Sequence, residues 1–191
     1  MTKKRINTPQ LSIEGSQLVN LLQQGGVGVL PTDTLYGLVG MALNPKTVER
    51  IYQLKGRAIE KPFIVLVASS EQLTQFGINL QTQHQASKYW PGPTSVILPC
   101  KKVDFEYLHR GKHSLAFRQP SVLALQVLLA KTGPLVAPSA NPECKPPAAT
   151  IAEANAYFDD SIDFYVEGGR LAGKPSRLIS LMGNHPRTIR N

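Results

Sequence analysis

Three short segments of the sequence place hydroxyl, amide or cationic side chains directly beside apolar runs. They read PTDTLYGL at 31–38, KGRAIEKP at 55–62 and APSAN at 137–141. Their polar members are Thr32, Asp33, Thr34, Tyr36, Lys55, Arg57, Lys61, Ser139 and Asn141. Cations attract an anionic ligand, and hydroxyls and amides add neutral hydrogen bonds beside them. Together the three segments form a set of hydroxyl, amide and cationic side chains at the ends of predicted strands.

Taken singly, each segment also has a purely structural explanation. The polar residues of 31–38 suit an ordinary turn whose side chains cap the backbone. Lys55 and Arg57 suit a solvated helix end, where cations interact favourably with the helix dipole. We therefore expect both side chains to be exposed. A loop that carries one serine and one asparagine, as 137–141 does, is common in proteins of any function.

The net charge favours an anionic partner. The chain has 21 Lys and Arg residues against 13 Asp and Glu residues, a formal charge of +8. The excess is uneven, because no acid lies between Glu106 and Glu143 and none lies within 170–191. A basic excess of this size is typical of proteins that bind nucleotides, RNA or a membrane surface. A solubilising surface with an accidental imbalance is the alternative.

Several well-known catalytic and metal-binding patterns are incomplete. GGRLAGKPS (168–176) nearly matches the phosphate-binding GxxxxGK[ST] loop, but Pro175 lacks the hydroxyl and the amide hydrogen that the loop needs. His109 and His113 are four residues apart, yet two cations lie between them, which disfavours zinc. No GxSxG or SxxK motif occurs. The sequence therefore argues against P-loop and serine-hydrolase chemistry.

Hydrophobic periodicity predicts the elements that must position these residues. We expect helices over 16–24, 45–55, 121–131 and 151–157, with Asn44 as the cap of the second and Thr150 as the cap of the fourth. We also expect one shorter helical stretch that begins at Ser70 and another that leads to Trp90. We expect strands over 27–31, 63–68, 95–100, 114–120, 134–138, 164–168, 177–182 and 187–190, with hairpin-like passages around 95–119 and 164–190. Helices and strands interleaved in this order predict an α/β fold, a twisted mixed β-sheet with flanking helices.

Length and composition are typical of one folded domain. The 191 residues are 42% hydrophobic and 18% charged, without repeats or a linker, so we expect a single domain spanning 1–191. No apolar run approaches the roughly 18 residues of a membrane span, and the basic N-terminus lacks the apolar stretch of a signal peptide. Cys100 and Cys144 form no CxxC pair, so no disulfide framework is indicated. We expect a cytosolic protein.

The three polar segments and several further motifs resemble the YrdC family, the threonylcarbamoyl-AMP synthases, over nearly the whole chain. The further motifs are WPGPTSVIL (90–98), LAFRQP with Arg118, and PSRLISL followed by RTIR. The hallmark of the family is Lys-x-Arg in one loop and Ser-x-Asn in another, met here at Lys55, Arg57, Ser139 and Asn141. Because the chain ends soon after RTIR, it resembles the short bacterial form without an additional C-terminal domain. The resemblance implies a YrdC-like fold.

The resemblance also implies a reaction and its site. Such an enzyme condenses L-threonine, bicarbonate and ATP to threonylcarbamoyl-AMP and pyrophosphate, for threonylcarbamoyladenosine in tRNA. Lys55 and Arg57 are the implied catalytic cations. The residues implied for L-threonine are Thr32, Thr34, Arg118 and Ser176, and those implied for the nucleotide are Lys55, Arg57, Lys61, Ser139, Asn141 and Arg190. Mg²⁺ is expected to arrive with ATP, without a dedicated protein metal site. Expected partners are tRNA or tRNA-modification proteins.

The chain departs from the family pattern in three places. Lys61-Pro62-Phe63 stands where many members have Asn or His followed by Pro-Leu, Ser176-Arg177 replaces a Ser-Thr pair, and Thr94 replaces a leucine. A rival interpretation is a non-catalytic module that binds double-stranded RNA or tRNA with the same basic surface. A carbamoyl-transfer domain that acts on another acceptor would share the fold.

Overall fold

A ten-stranded mixed sheet runs through the computed structural model, which describes residues 10–191. The strands are β1 (Gln10–Leu11), β2 (Gly28–Pro31), β3 (Tyr36–Met41), β4 (Ile64–Leu66), β5 (Thr94–Pro99), β6 (Ser114–Arg118), β7 (Leu135–Val136), β8 (Phe164–Val166), β9 (Arg177–Ser180) and β10 (Arg187–Arg190). Their order in the sheet is β1-β8-β2-β3-β7-β4-β6-β5-β9-β10. The basic segment 1–9 lies outside the described residues. The expectations of no signal peptide and of one domain spanning 1–191 both involve this segment.

Helices cover both faces of this sheet. They are α1 (Ser16–Gln23), α2 (Pro45–Lys55), α3 (Leu80–Ser87), α4 (Glu106–His109), α5 (Leu123–Thr132) and α6 (Ile151–Phe158), with 3-10 helices at Ser70–Phe76, Val103–Phe105 and Asp159–Ser161. Neighbouring residues of one strand enter different hydrophobic clusters, as Val65 and Leu66 of β4 do. One cluster contains α1 and α5, and the other contains α2 and α6. No helix of residues 10–191 is long and apolar enough to cross a membrane.

Local capping fixes where α2 begins and ends. The Asn44 side chain accepts hydrogen bonds from the backbone N–H groups of Lys46 (3.1 Å) and Thr47 (3.3 Å), and Pro45 occupies the first helical position. Gly56 ends the helix in the left-handed conformation with φ 57°, which costs glycine little because it lacks a Cβ. The helix therefore delivers Arg57 to the loop that follows at a defined angle.

The predicted fold class is confirmed, and two local expectations are confirmed only in part. The antiparallel pairing of β5 with β6 matches the predicted hairpin around 95–119. The hairpin-like passage expected around 164–190 forms in part: β9 and β10 pair antiparallel, while β8 pairs with β1 and β2 and not with β9. Strand patterns identify a strand, but its distant partner depends on how the whole sheet assembles.

The other expectation is the ordinary turn at 31–38, which accounts for only the first half of this segment. Its second half opens β3, and Tyr36 is fully buried there. The Tyr36 hydroxyl donates to the carbonyl of Gly169 (2.7 Å) and accepts from the N–H of Gly168 (2.9 Å). These hydrogen bonds remove the cost of burying the hydroxyl, so the aromatic ring can pack in the core.

Two tyrosines, the buried Tyr165 and the half-buried Tyr107, should make the protein sensitive to alkaline pH. Burial raises the pKa of Tyr107 and of Tyr165 from 10.0 to about 12. Between those values the unfolded chain loses both protons and the folded chain keeps them, so stability falls as pH rises. We expect the double substitution Tyr107→Phe, Tyr165→Phe to reduce this loss by about 1 kcal/mol or more between pH 9 and 11. Urea unfolding at each pH measures it, and an unchanged pH slope would contradict the prediction.

Candidate active site

One cavity of about 190 Å³ collects most of the predicted site residues. Seven of the ten line it, namely Thr32, Thr34, Arg57, Arg118, Ser139, Ser176 and Arg190. The other three, Lys55, Lys61 and Asn141, are not among its lining residues. Gly37, Ile64 and Ala137, which belong to or follow the adjacent strands β3, β4 and β7, give the cavity part of its apolar lining. The sheet therefore brings polar turns from distant parts of the chain to one place.

Arg118 is the last residue of β6 and is only 4% exposed. Its Nη1 donates to Thr34 Oγ1 (3.0 Å), and its Nη2 lies 3.5 Å from both Thr32 Oγ1 and Asp33 Oδ1. Burial lowers the pKa of Arg118, the charge of Asp33 opposes this shift, and the charge of Arg190 adds to it. The guanidinium is thus buried, bonded to the turn that carries Thr34, and repelled by the positive charge of Arg190.

Asp33 ties the turn after β2 to the loop after β6. Its Oδ2 accepts from the backbone N–H of Ser121 (3.2 Å) and lies 3.4 Å from the Ser121 hydroxyl, which also donates to it. Its Oδ1 and the Nε of Arg118 are buried without a hydrogen bond among the described residues. Asp33 therefore serves as the counter-ion of Arg118, a role that the sequence pattern did not assign to it.

Lys55 does not lie on a solvated helix end, so that expectation is wrong. The residue is 3% exposed, and its ammonium donates to the carbonyls of Ser139 (2.6 Å) and Asn141 (2.5 Å). Burial, assisted by the charge of Arg57, lowers the pKa of Lys55 to about 8 against the opposing effect of Glu143. Lys55 thus links the end of α2 to the segment that carries Ser139.

The burial of Lys55 has a signal in the sequence. Val48, Tyr52 and Lys55 follow the i, i+4, i+7 spacing of one helix face, and all three are buried. A cation at the third of these positions needs acceptors inside the protein. The carbonyls after β7 provide them, but nothing local to α2 predicts their position.

Arg57 and Lys61 lie on the loop that follows α2. Arg57 Nε donates to the carbonyl of Lys61 (3.1 Å), and its guanidinium carbon lies 5.5 Å from the centre of the Phe63 ring. The ammonium of Lys61 turns away to an ion pair with Glu143 Oε1 (2.7 Å). This hydrogen bond, followed by one from the N–H of Ala58, lowers the pKa of Glu143.

The neutral polar residues of the site are largely engaged with one another. The Ser139 hydroxyl donates to Asn141 Oδ1 (2.6 Å), and the Asn141 amide donates to the carbonyls of Pro142 (2.9 Å) and Lys145 (2.6 Å). Asn141 therefore shapes the loop, while Ser139 lines the cavity.

The C-terminal strands complete the cavity wall. The hydroxyl of Ser176 is 2.9 Å from that of Ser95, and both residues are buried. Arg190 donates through Nε (3.1 Å) and Nη2 (2.8 Å) to the carbonyl of Ser176. This two-pronged contact fixes a third guanidinium at the cavity.

The electrostatics of the cavity favour an anion. Three arginines from separate elements line it, and the lining contains no Asp or Glu. Among residues 10–191, no group of three or more His, Cys, Asp and Glu side chains is placed to hold a metal ion. Fixed cations next to neutral hydroxyls can bind phosphate or carboxylate groups and stabilise charge that develops on phosphate oxygens.

Comparison with known proteins places this arrangement in a family. Residues 20–191 match the Sua5/YciO/YrdC family model, whose description reads "Telomere recombination". The chain belongs to the Sua5/YciO/YrdC family. The family expected from the ordered motifs is thereby confirmed.

Named relatives of this Sua5/YciO/YrdC chain include bacterial and archaeal proteins. It is 38% identical over 164 residues to the threonylcarbamoyl-AMP synthase of Marinobacter nauticus, covering 83% of this chain and 86% of that protein. It is 32% identical over 164 residues to the protein of the same name from Pyrococcus abyssi, covering 84% of this chain and 48% of that protein. P. abyssi Sua5 complexed with L-threonine matches with a TM-score of 0.83 and 30% identity, over 93% of this chain and 53% of that one. This chain thus spans about half the length of the P. abyssi relatives.

Sequence reasoning missed several residues around the site of this family member. They are Asp33 as a counter-ion, Ser95 beside Ser176, and Glu143 between the two loops. Glu143 did have a signal, because it is the acid that ends the acid-free stretch after Glu106. The roles of the predicted site residues toward substrates stay predictions.

The contacts of Lys55 predict a large difference between the two cations of the Lys-x-Arg motif. We expect Lys55→Met to lower the free energy of unfolding by about 2–3 kcal/mol, because two carbonyls lose a charged donor inside the protein. Arg57→Gln, at a half-buried position in the neighbouring loop, should change it by less than about 0.5 kcal/mol. Urea unfolding at pH 7 measures both values. Equal and small losses of unfolding free energy for the two variants would indicate that Lys55 behaves as a surface cation.

Proposed function

We propose that this chain is a threonylcarbamoyl-AMP synthase, which converts L-threonine, bicarbonate and ATP into threonylcarbamoyl-AMP, pyrophosphate and water. The observation that carries the proposal is the convergence of Arg57, Arg118 and Arg190 with threonine and serine hydroxyls on one cavity. The chain is 38% identical to a relative of that name, over most of both proteins. The rival interpretation, a non-catalytic RNA-binding module, is not favoured.

The reaction needs oriented positive charge more than an acid–base pair. The amine of threonine adds to bicarbonate with loss of water, and an oxygen of the resulting carbamate attacks the α-phosphorus of ATP. Pyrophosphate then leaves with the electron pair of the broken phosphorus–oxygen bond. Negative charge grows on the phosphate oxygens during this step, so cations already held in place lower its barrier.

Arg118 and Thr34 are proposed to receive the amino acid. Arg118 lines the cavity, and a guanidinium is well suited to a carboxylate, which it can bind with two parallel hydrogen bonds. Thr32 holds the turn around Thr34, since its Oγ1 accepts from the N–H groups of Thr34 (3.2 Å) and Leu35 (3.3 Å). Ser176 lies at the same cavity and can bond a polar group of threonine.

Arg57, Ser139 and Arg190 are proposed to receive the nucleotide phosphates. All three line the cavity and belong to loops or strands other than the turn that holds Arg118. Lys55 and Asn141 are proposed to position these residues without contacting the nucleotide. The ammonium of Lys55 bonds the carbonyls of Ser139 and Asn141 and does not face the cavity. They act through the loop they shape.

Magnesium is proposed to enter bound to ATP, where it would neutralise phosphate charge. The carboxylate of Asp33, which lies between Thr32 and Thr34 in the sequence, is committed to Ser121 and Arg118. Magnesium bound to nucleotide phosphates keeps several waters and needs few protein ligands. The product would serve threonylcarbamoyladenosine formation in tRNA, and we propose a cytosolic location with tRNA or tRNA-modifying proteins as partners.

The first test is the substrate requirement. With ATP and Mg²⁺ present, pyrophosphate release should require both L-threonine and bicarbonate, because the attacking group is the carboxylated amine. The measurement is pyrophosphate formed with each amino acid in turn and with bicarbonate omitted. Equal release without an amino acid, or no release from any mixture, would reject the synthase and favour the RNA-binding module.

The second test separates the amino-acid end from the phosphate end. Arg118→Lys should raise the threonine KM by about tenfold or more while the ATP KM changes less than about twofold, since lysine keeps the charge but loses the two-pronged fork. Lys101→Ala, an exposed cation away from the cavity lining, is the control and should change neither value. A shift confined to ATP would assign Arg118 to the phosphates.

A further inference from the structure

Glu143 joins the two loops that border the cavity. Its Oε2 accepts from the backbone N–H of Ala58 (3.1 Å), and its Oε1 accepts from the ammonium of Lys61 (2.7 Å). Its own backbone N–H donates to the carbonyl of Lys55 (2.7 Å). One residue, just after the Ser-x-Asn segment, therefore holds three points of the loop that carries Arg57.

Two of these points are the ends of a turn. The N–H of Lys61 donates to the carbonyl of Ala58 (3.1 Å), which closes the turn 58–61. The carbonyl of Lys61 in turn accepts from Arg57 Nε (3.1 Å) and from the Tyr52 hydroxyl (3.0 Å). Because Glu143 holds both ends of the turn, it also fixes the carbonyl that orients the guanidinium of Arg57.

This contact contributes little to global stability. The side chains of Lys61 and Glu143 are 55% and 28% exposed, and solvent screens an ion pair with such exposure, so it adds little to the stability of the fold. The buried ammonium of Lys55 independently fastens the end of α2 to the segment that carries Ser139 and Asn141. Loss of the Glu143 carboxylate should therefore loosen the 58–61 turn in a protein that stays folded.

We infer that Glu143 is a positioning residue for the nucleotide: it holds the 58–61 turn so that Arg57 faces the cavity, and Lys61 is its counter-ion and not a phosphate ligand. The inference rests on the proposed function for the identity of the nucleotide. It also explains the lysine of Lys61-Pro62-Phe63, one of the departures from the family pattern, because Lys61 forms an ion pair with an acid from the opposite loop.

The test compares ATP binding with threonine use in a set of variants. Glu143→Ala should raise the ATP Kd, measured by equilibrium dialysis with Mg²⁺, and the ATP KM by about tenfold, equivalent to about 1.4 kcal/mol. The threonine KM should change less than about twofold, because Arg118 is held by a different turn. A merely structural role would lower the melting temperature without separating the two KM values.

Graded variants and a control sharpen the result. Glu143→Gln keeps an acceptor for the Ala58 N–H and loses only the ion pair, so its ATP Kd should rise by about threefold, and Lys61→Met should match it. Combining Glu143→Gln with Lys61→Met should add no further loss, since both remove the same contact. Glu60→Ala is the control, because Glu60 is an exposed acid on the same turn whose side chain makes no hydrogen bond or ion pair within residues 10–191; its ATP Kd should not change.

Several results would overturn the inference. These are an unchanged or lower ATP Kd for Glu143→Ala, equal rises in both KM values, or a much larger loss of ATP affinity for Lys61→Met than for Glu143→Ala. The last would make Lys61 a phosphate ligand. A wild-type protein that binds ATP but releases no pyrophosphate would reject the proposed synthase, while the ATP Kd values would still decide the role of Glu143. A wild-type protein that binds no ATP would reject both.

Discussion

The site depends on keeping the guanidinium of Arg118 charged inside the protein. A buried cation is costly unless polar groups replace the water it loses. Here the replacement comes from Thr34, Thr32 and one carboxylate, Asp33, at the turn that joins β2 to β3. In the sheet, β3 and β6 lie on either side of β7 and β4, and this order brings the turn to Arg118. The sheet order is therefore a condition for the charge of the cavity.

Lys55 is a second buried cation whose lost water is replaced by polar groups, and none of these groups is an acid. Its ammonium is bonded by two main-chain carbonyls, so the loop after β7 is fastened to the end of α2 while the positive charge is retained. Arg190 likewise bonds a carbonyl, that of Ser176. Neutral acceptors hold these two cations in place, and the site keeps an excess of positive charge that an anionic substrate can neutralise.

The C-terminal strands matter to the site because they close its wall. β9 runs parallel to β5, with Thr94 opposite Arg177, and this register puts Ser176 beside Ser95. β10 then returns antiparallel to β9 and brings Arg190 to the carbonyl of Ser176. Residues from 32 to 190 thus meet at one cavity, which explains why the motifs that identify the family extend over nearly the whole chain.

The sequence by itself determined the features that depend on neighbours along the chain. Asn44-Pro45 and Gly56 set the ends of α2, Thr150 capped α6, and the ordered motifs indicated the family, because caps and turns involve groups only a few residues apart. Only the tertiary structure decided the position of β8, the burial of Lys55, the pairing of Asp33 with Arg118 and that of Lys61 with Glu143. Each of these joins residues that are far apart in sequence, and a side chain finds such a partner only where the order and register of the strands place it.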